Sequence, residues 1–133
     1  MTVSGLTYVD DVPAAVEQRL RGICLGLPDA YERQAWKGTR WMVRRRTFAS
    51  VLGVEGDDGG RRVLLAFRSA GDELEVLRRA GPPFLMLGWG RDAVGLVLDD
   101  ATDWTEVGEL ITESYCAMAP RKLAALVDRP PEE

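Results

Sequence analysis

The connections between strand-like runs in the first half of the chain are too short for a parallel sheet. Four such runs follow one another, around Tyr31 to Trp36, Trp41 to Arg44, Thr47 to Val54 and Arg62 to Phe67. Lys37-Gly38 and Asp57-Asp58-Gly59-Gly60 punctuate them, and Gly and Asp tolerate the left-handed conformations that tight connections need. A parallel pair needs a crossover of roughly a dozen residues or more. The pattern therefore predicts consecutive antiparallel hairpins.

Helices are expected before, between and after these strands. Asp10-Asp11 supply capping oxygens, Pro13 suits a first turn, and Val16, Leu20, Ile23 and Leu27 recur at helical spacing until Gly26 and Pro28 end the segment. Ser69 to Arg79 reads as a short helix with Leu74 and Leu77 inward, stopped by Gly81-Pro82-Pro83. Two short strands, Phe84 to Leu87 and Ala93 to Leu98, flank the turn-rich Gly88-Trp89-Gly90-Arg91-Asp92.

The strongest helical signal comes last. Trp104, Val107, Leu110, Ile111, Tyr115 and Met118 form one apolar stripe, with Glu106, Glu109 and Glu113 opposite. Asp103 followed by Glu106 resembles a capping box, and Pro120 ends the helix and starts a shorter one carrying Leu123, Leu126 and Val127. The order of elements predicts an α+β, two-layer domain over residues 1–133: an antiparallel β-sheet with helices packed on one face, and 128–133 as a frayed tail. Function is expected on the other face of the sheet.

A chain of 133 residues can bury roughly two-thirds of its unfolded surface and needs no staple. Histidine is absent, which removes the commonest general base and the commonest transition-metal ligand. Cys24 and Cys116, the two cysteines, sit in apolar helical patterns and read as spectator thiols. No catalytic set, cofactor site or metal site is recognised, so a non-enzymatic protein is expected. No apolar stretch approaches the ~20 residues of a membrane helix, and the amino-terminal segment has no leader-like run, so a cytoplasmic location is expected.

Charge is unevenly distributed. Residues 1–98 carry 14 Lys and Arg against 12 Asp and Glu, a net of +2, whereas residues 99–133 carry 3 against 9, a net of -6. The overall net charge of -4 therefore leaves room for a basic face.

Three segments together resemble the YjbR/MmcQ family of small bacterial proteins. They are WKGTRWMVRRRTFASV (36–51), VGLVLD (94–99) and, most specifically, DWTEVGELITESYCAMAPRKLAA (103–125). In the last, Asp103-Trp104, Glu109-Leu110, Ser114-Tyr115 and Pro120-Arg121-Lys122-Leu123 stand at family-like spacings. The resemblance implies an antiparallel sheet with helices on one side, similar in plan to bacterial secretion chaperones, and a DNA-binding role through a double wing of hairpins. Two departures stand out. Arg45 occupies a hairpin position where relatives commonly have Gly, which predicts a widened tip, and Ala93 stands where relatives often have Trp, the nearby Trp being Trp89.

Arg33, Lys37, Arg40, Arg44, Arg45 and Arg46 fall within fourteen positions containing no acidic residue. Interleaved with Trp and Met, they read as a candidate wing that holds phosphates. The competing reading is a hairpin tip kept soluble by charge. The expected partner is DNA, bound weakly and salt-sensitively. The alternative is a protein-interaction or chaperone-like domain, or a homodimer, with Trp41, Val43 and Trp89 as anchors on the open sheet face. Arg61-Arg62 form a weaker second candidate, offset by Asp57-Asp58. The glutamate row at 106, 109 and 113, and the acidic turn Asp99-Asp100, read as solvated and capping residues.

Overall fold

The computed structural model describes residues 2–3, 6–9, 12–35, 37–56, 58–90 and 92–127. The capping pair Asp10-Asp11, Trp36, Asp57, Arg91 and the tail 128–133 lie outside them. Eight strands and four helices occur among the described residues: β1 (Thr2–Val3), β2 (Leu6–Val9), α1 (Ala14–Cys24), β3 (Tyr31–Gln34), β4 (Thr39–Val43), β5 (Arg46–Glu55), β6 (Arg61–Arg68), α2 (Gly71–Ala80), β7 (Phe84–Met86), β8 (Ala93–Leu98), α3 (Trp104–Met118) and α4 (Arg121–Ala124). All strands join one sheet, in the order β1-β2-β5-β6-β8-β7 with β4 attached to β5 and β3 to β4, and every pairing is antiparallel.

The ten-residue β5 organises this sheet. One edge pairs with β6 over Ala49 to Glu55. The other is shared: β4 takes Arg46 to Val51, and β2 takes Gly53 to Glu55. The short amino-terminal strands thus cover backbone that β4 is too short to reach, removing an open edge. They are not foreseen from the sequence, because a strand of two or four residues carries no readable alternation.

All four helices pack on one face. Leu20 and Cys24 of α1, Leu77 of α2, Val107, Leu110, Ile111 and Tyr115 of α3, and Leu123 of α4 enclose a single core with Trp41, Val43, Phe48, Val51, Leu65, Phe67, Val94 and Leu96 of the sheet. Asp103 caps α3, its carboxylate accepting from the amides of Thr105 at 3.0 Å and Glu106 at 3.3 Å. The other face is not bare. Leu52, Val54, Leu64, Ala66, Leu87 and Ala93 form a second buried cluster, with Tyr8, Leu85 and Val97 packed against it.

The Ser114-Tyr115 pair ties α3 to the sheet at an irregularity. Trp41 faces Ala49 across the β4–β5 ladder while Met42 faces Thr47, so Phe48 has no partner on β4 and its carbonyl needs another donor. The fully buried Ser114 hydroxyl donates to the Phe48 carbonyl and accepts from the Arg68 amide at 2.8 Å. Tyr115 meets the Phe48 ring edge-on at 5.3 Å and donates its hydroxyl to the Pro28 carbonyl at 2.6 Å, holding the exit of α1. A Ser114→Ala variant strands both backbone groups, and chemical denaturation should show a loss of about 2–4 kcal/mol, at about 1–2 kcal/mol, the lower part of the usual range, for each buried group left unsatisfied.

Helix α1 is docked by polar contacts at the opposite edge. Arg21 bonds Glu32 at 2.8 Å and Glu17 at 3.2 Å. Thr39 donates to Glu17 at 2.8 Å, and the Trp41 indole donates to Glu32 at 2.9 Å. The Arg21 hydrogen bond, opposed in part by burial and reinforced by Trp41, holds the Glu32 carboxyl below its ordinary pKa of 4.5. A carboxylate depressed by folding adds stability above its unfolded pKa and loses it as pH falls through the folded value. Melting followed from neutral pH downward should therefore show an acid-side decline below about pH 4.5 that Glu32→Gln flattens.

Candidate functional site

The β3–β4–β5 registers divide the sequence-predicted basic cluster into two groups. Alternation along β4 sends Trp41 and Val43 into the helix-covered core, where both are fully buried. Arg40 takes the other face, opposite Arg33 on β3 and Ser50 on β5. Arg44, Arg45 and Arg46 lie at the hairpin end, roughly 13 Å along the strand direction from Arg40 at ~3.3 Å per residue. There they border a shallow depression with Met118, Ala119 and Pro120.

This arrangement corrects the partner-binding reading of the sequence. Trp41 and Val43 cannot anchor a partner, because the β4 register turns them inward beneath the helices. Of the three expected anchors, Trp89 alone reaches the surface, at 36% exposure.

The hairpin tip also differs from the widened loop expected. Val43 pairs with Arg46, so the connection is only Arg44-Arg45, and Arg44 itself adopts a positive φ of 55°. That conformation costs a side-chain-bearing residue roughly 1–2 kcal/mol. Two contacts favour it here: an ion pair from Arg44 Nη1 to Asp29 Oδ2 at 3.1 Å, and the Tyr31 hydroxyl donating to the Arg44 carbonyl. Arg44→Gly should be the more stable of two tip variants, exceeding Arg44→Ala by about 1 kcal/mol in denaturant titration, since both lose the exposed ion pair and only Gly relieves the strain.

On the open face, residues from five separate strands surround a groove of about 320 Å³. Lys37 and Arg40 form one side, and Tyr8 of β2 and Trp89 of the β7–β8 connection form another. Ser50, Leu52, Ala66 and Ala93 line it between them, and Arg68 completes it. Ala93, where a Trp was expected from relatives, and Trp89, four residues earlier, thus border the same space. The Trp89 segment is pinned: Arg68 donates to the Trp89 carbonyl at 2.9 Å and pairs with Asp92 at 2.8 Å. Its ring stands edge-on to Tyr8, with centroids 6.1 Å apart at 73°.

Tyr8 and Arg68 were not singled out in the sequence. They lie about sixty positions apart and meet only through the β2–β5–β6 pairings, so no local spacing marks them. The buried Tyr8 hydroxyl finds no acceptor for its own proton among the described residues, and burial pushes its pKa above the ordinary tyrosine value, opposed in part by the neighbouring Trp89 side chain, which can only donate to it.

Electrostatically, the basic residues fall into neutralised and bare sets. Arg44 is paired with Asp29, Arg62 with Asp58 at 3.0 Å and Arg68 with Asp92. The Arg62 guanidinium holds the Asp58 carboxyl at a pKa of about 2, so the Asp-Asp-Gly-Gly turn offers little positive field for a second wing. Arg33, Arg40, Arg45 and Arg46 make no ion pair among the described residues. Arg33 and Arg40 moreover face each other directly across the β3–β4 ladder, where like charges are destabilising.

Elsewhere the chemistry is quiet. Among the described residues no group of three or more His, Cys, Asp or Glu could hold a metal ion, the acidic face of α3 included. Burial raises the Cys24 thiol far above its usual range, keeping it protonated. No helix among the described residues is long and apolar enough to cross a membrane.

No curated protein matches the chain significantly. The sequence profile of the YjbR family matches residues 25–117, a span from the end of α1 nearly to the end of α3 that contains every groove residue named above except Tyr8. The match extends over well more than half of the sequence, and the chain belongs to the YjbR family.

Proposed function

We propose that this protein binds nucleic acid through its basic open face, weakly and with strong salt dependence, and that it acts by binding rather than by catalysis. The observation that carries this reading is the Arg33–Arg40 pair. Two guanidinium groups opposed across a ladder, with no acidic partner among the described residues, raise the energy of the free protein. A phosphate backbone laid across them relieves that repulsion and releases counterions. Lys37 extends the row on the same side of the groove, whereas Arg45 and Arg46 stand apart from it at the hairpin end, beside Met118, Ala119 and Pro120.

The number of bare arginines sets the strength. A few phosphate contacts place the dissociation constant at about 10⁻⁴ to 10⁻⁶ M near physiological salt, the nonspecific range. Absence of histidine removes the commonest general base, which favours binding over catalysis. The test is a fluorescence-anisotropy titration of a labelled oligonucleotide at several salt concentrations. A linear fall of log affinity with log salt supports the reading. Binding that is absent at low salt, or that is insensitive to salt, removes it.

A further inference from the structure

We propose, resting on the nucleic-acid reading above, that the open-face groove receives an unpaired base, so that the preferred ligand is a single strand rather than a duplex. Its volume, about 320 Å³, lies at the lower end of the roughly 300–1,000 Å³ of small-ligand pockets. That is room for a planar ring. A base inside a duplex cannot enter such a recess, because its faces are stacked and its pairing edge is occupied.

The walls suit a base. Trp89 offers a partly exposed indole that is already immobilised by the Arg68 bond to its carbonyl and by the edge contact with Tyr8. A fixed aromatic surface stacks any base with little further ordering. Beside it, the buried Tyr8 hydroxyl finds no acceptor for its own proton among the described residues, the adjacent Trp89 side chain being able only to donate to it, an arrangement that is costly unless a ligand supplies the missing hydrogen bond. Small side chains at Ala66 and Ala93 keep the recess open. Arg40 borders the groove and faces Arg33 across the strand pair, so a base seated against Trp89 leaves its phosphates over the two bare guanidinium groups.

The full-length protein is titrated with a short labelled oligothymidylate and with a duplex of equal length, at one low salt concentration. The single strand should bind about tenfold more tightly, the factor that stacking of one base supplies. Trp89→Ala should lose that preference while leaving duplex affinity unchanged, and Trp89→Phe should keep most of it. Tyr8→Phe should weaken single-strand binding while its melting temperature equals or exceeds that of the parent, a combination that a purely structural tyrosine does not produce. Equal affinity for both forms, lost together in Arg33→Glu, overturns the base pocket and leaves the polyanion reading standing. Binding of neither form overturns both.

Discussion

Arg33→Glu should make the protein more stable and its nucleic-acid binding at least tenfold weaker. Stability rises because glutamate opposite Arg40 turns a repelling cross-strand pair into an attracting one, a gain of about 0.2–1 kcal/mol. Binding falls because one phosphate contact is lost and a repelling charge replaces it. The double variant Arg33→Glu/Arg40→Glu restores a like-charge pair, so its stability returns toward the parent while affinity drops further, by about a hundredfold at low salt. Neutral replacement of both arginines by alanine should reduce the slope of log affinity against log salt by about 1.8 for a duplex or about 1.4 for a single strand, two contacts at roughly 0.9 or 0.7 each. Thermal melting and salt-dependent anisotropy on the same preparations read the two effects separately. If both variants bind like the parent, Arg33 and Arg40 are only a solvated strand surface.

Trp41→Ala should be the most destabilising single change among those considered, by about 3–5 kcal/mol. The indole is fully buried between the sheet and the helices, and its N–H satisfies a Glu32 oxygen at 2.9 Å that also serves Arg21. Truncation opens a cavity and loosens the contacts that dock α1. Domains hold only about 5–15 kcal/mol in total, so the melting temperature should fall by roughly 10–25 °C on the scaling for chains of this size. Trp89→Ala, by contrast, removes a partly exposed ring and should shift melting only slightly. Finding the two alanine variants equally stable would contradict the opposite placements of these tryptophans.

These two tryptophans also mark how far the sequence can be read. Both stand near Gly-containing turns in a basic setting, and both are reasonable surface anchors on composition alone. Their fates diverge because Trp41 lies on a strand whose alternation points it at the helices, whereas Trp89 sits in a connection folded over the opposite face. Similarly, the six clustered basic residues read as one patch along the chain. Period-two alternation and the two-residue tip divide them, and nearby Asp29 neutralises Arg44 alone among the tip arginines.

The element order, the antiparallel pairing of β3 to β6, the stripe and cap of α3, and the family all follow from local information: turn residues, short connections and a helical period that persists over fifteen residues. The covering strands β1 and β2, the unpartnered Phe48 that Ser114 satisfies, and the groove shared by Tyr8, Arg40, Arg68 and Trp89 do not. Each depends on which distant residues lie opposite one another. In a sheet, a shift of one residue in register exchanges the two faces, so the sequence by itself determined which segments become strands, and only tertiary pairing decided which of their side chains share a site.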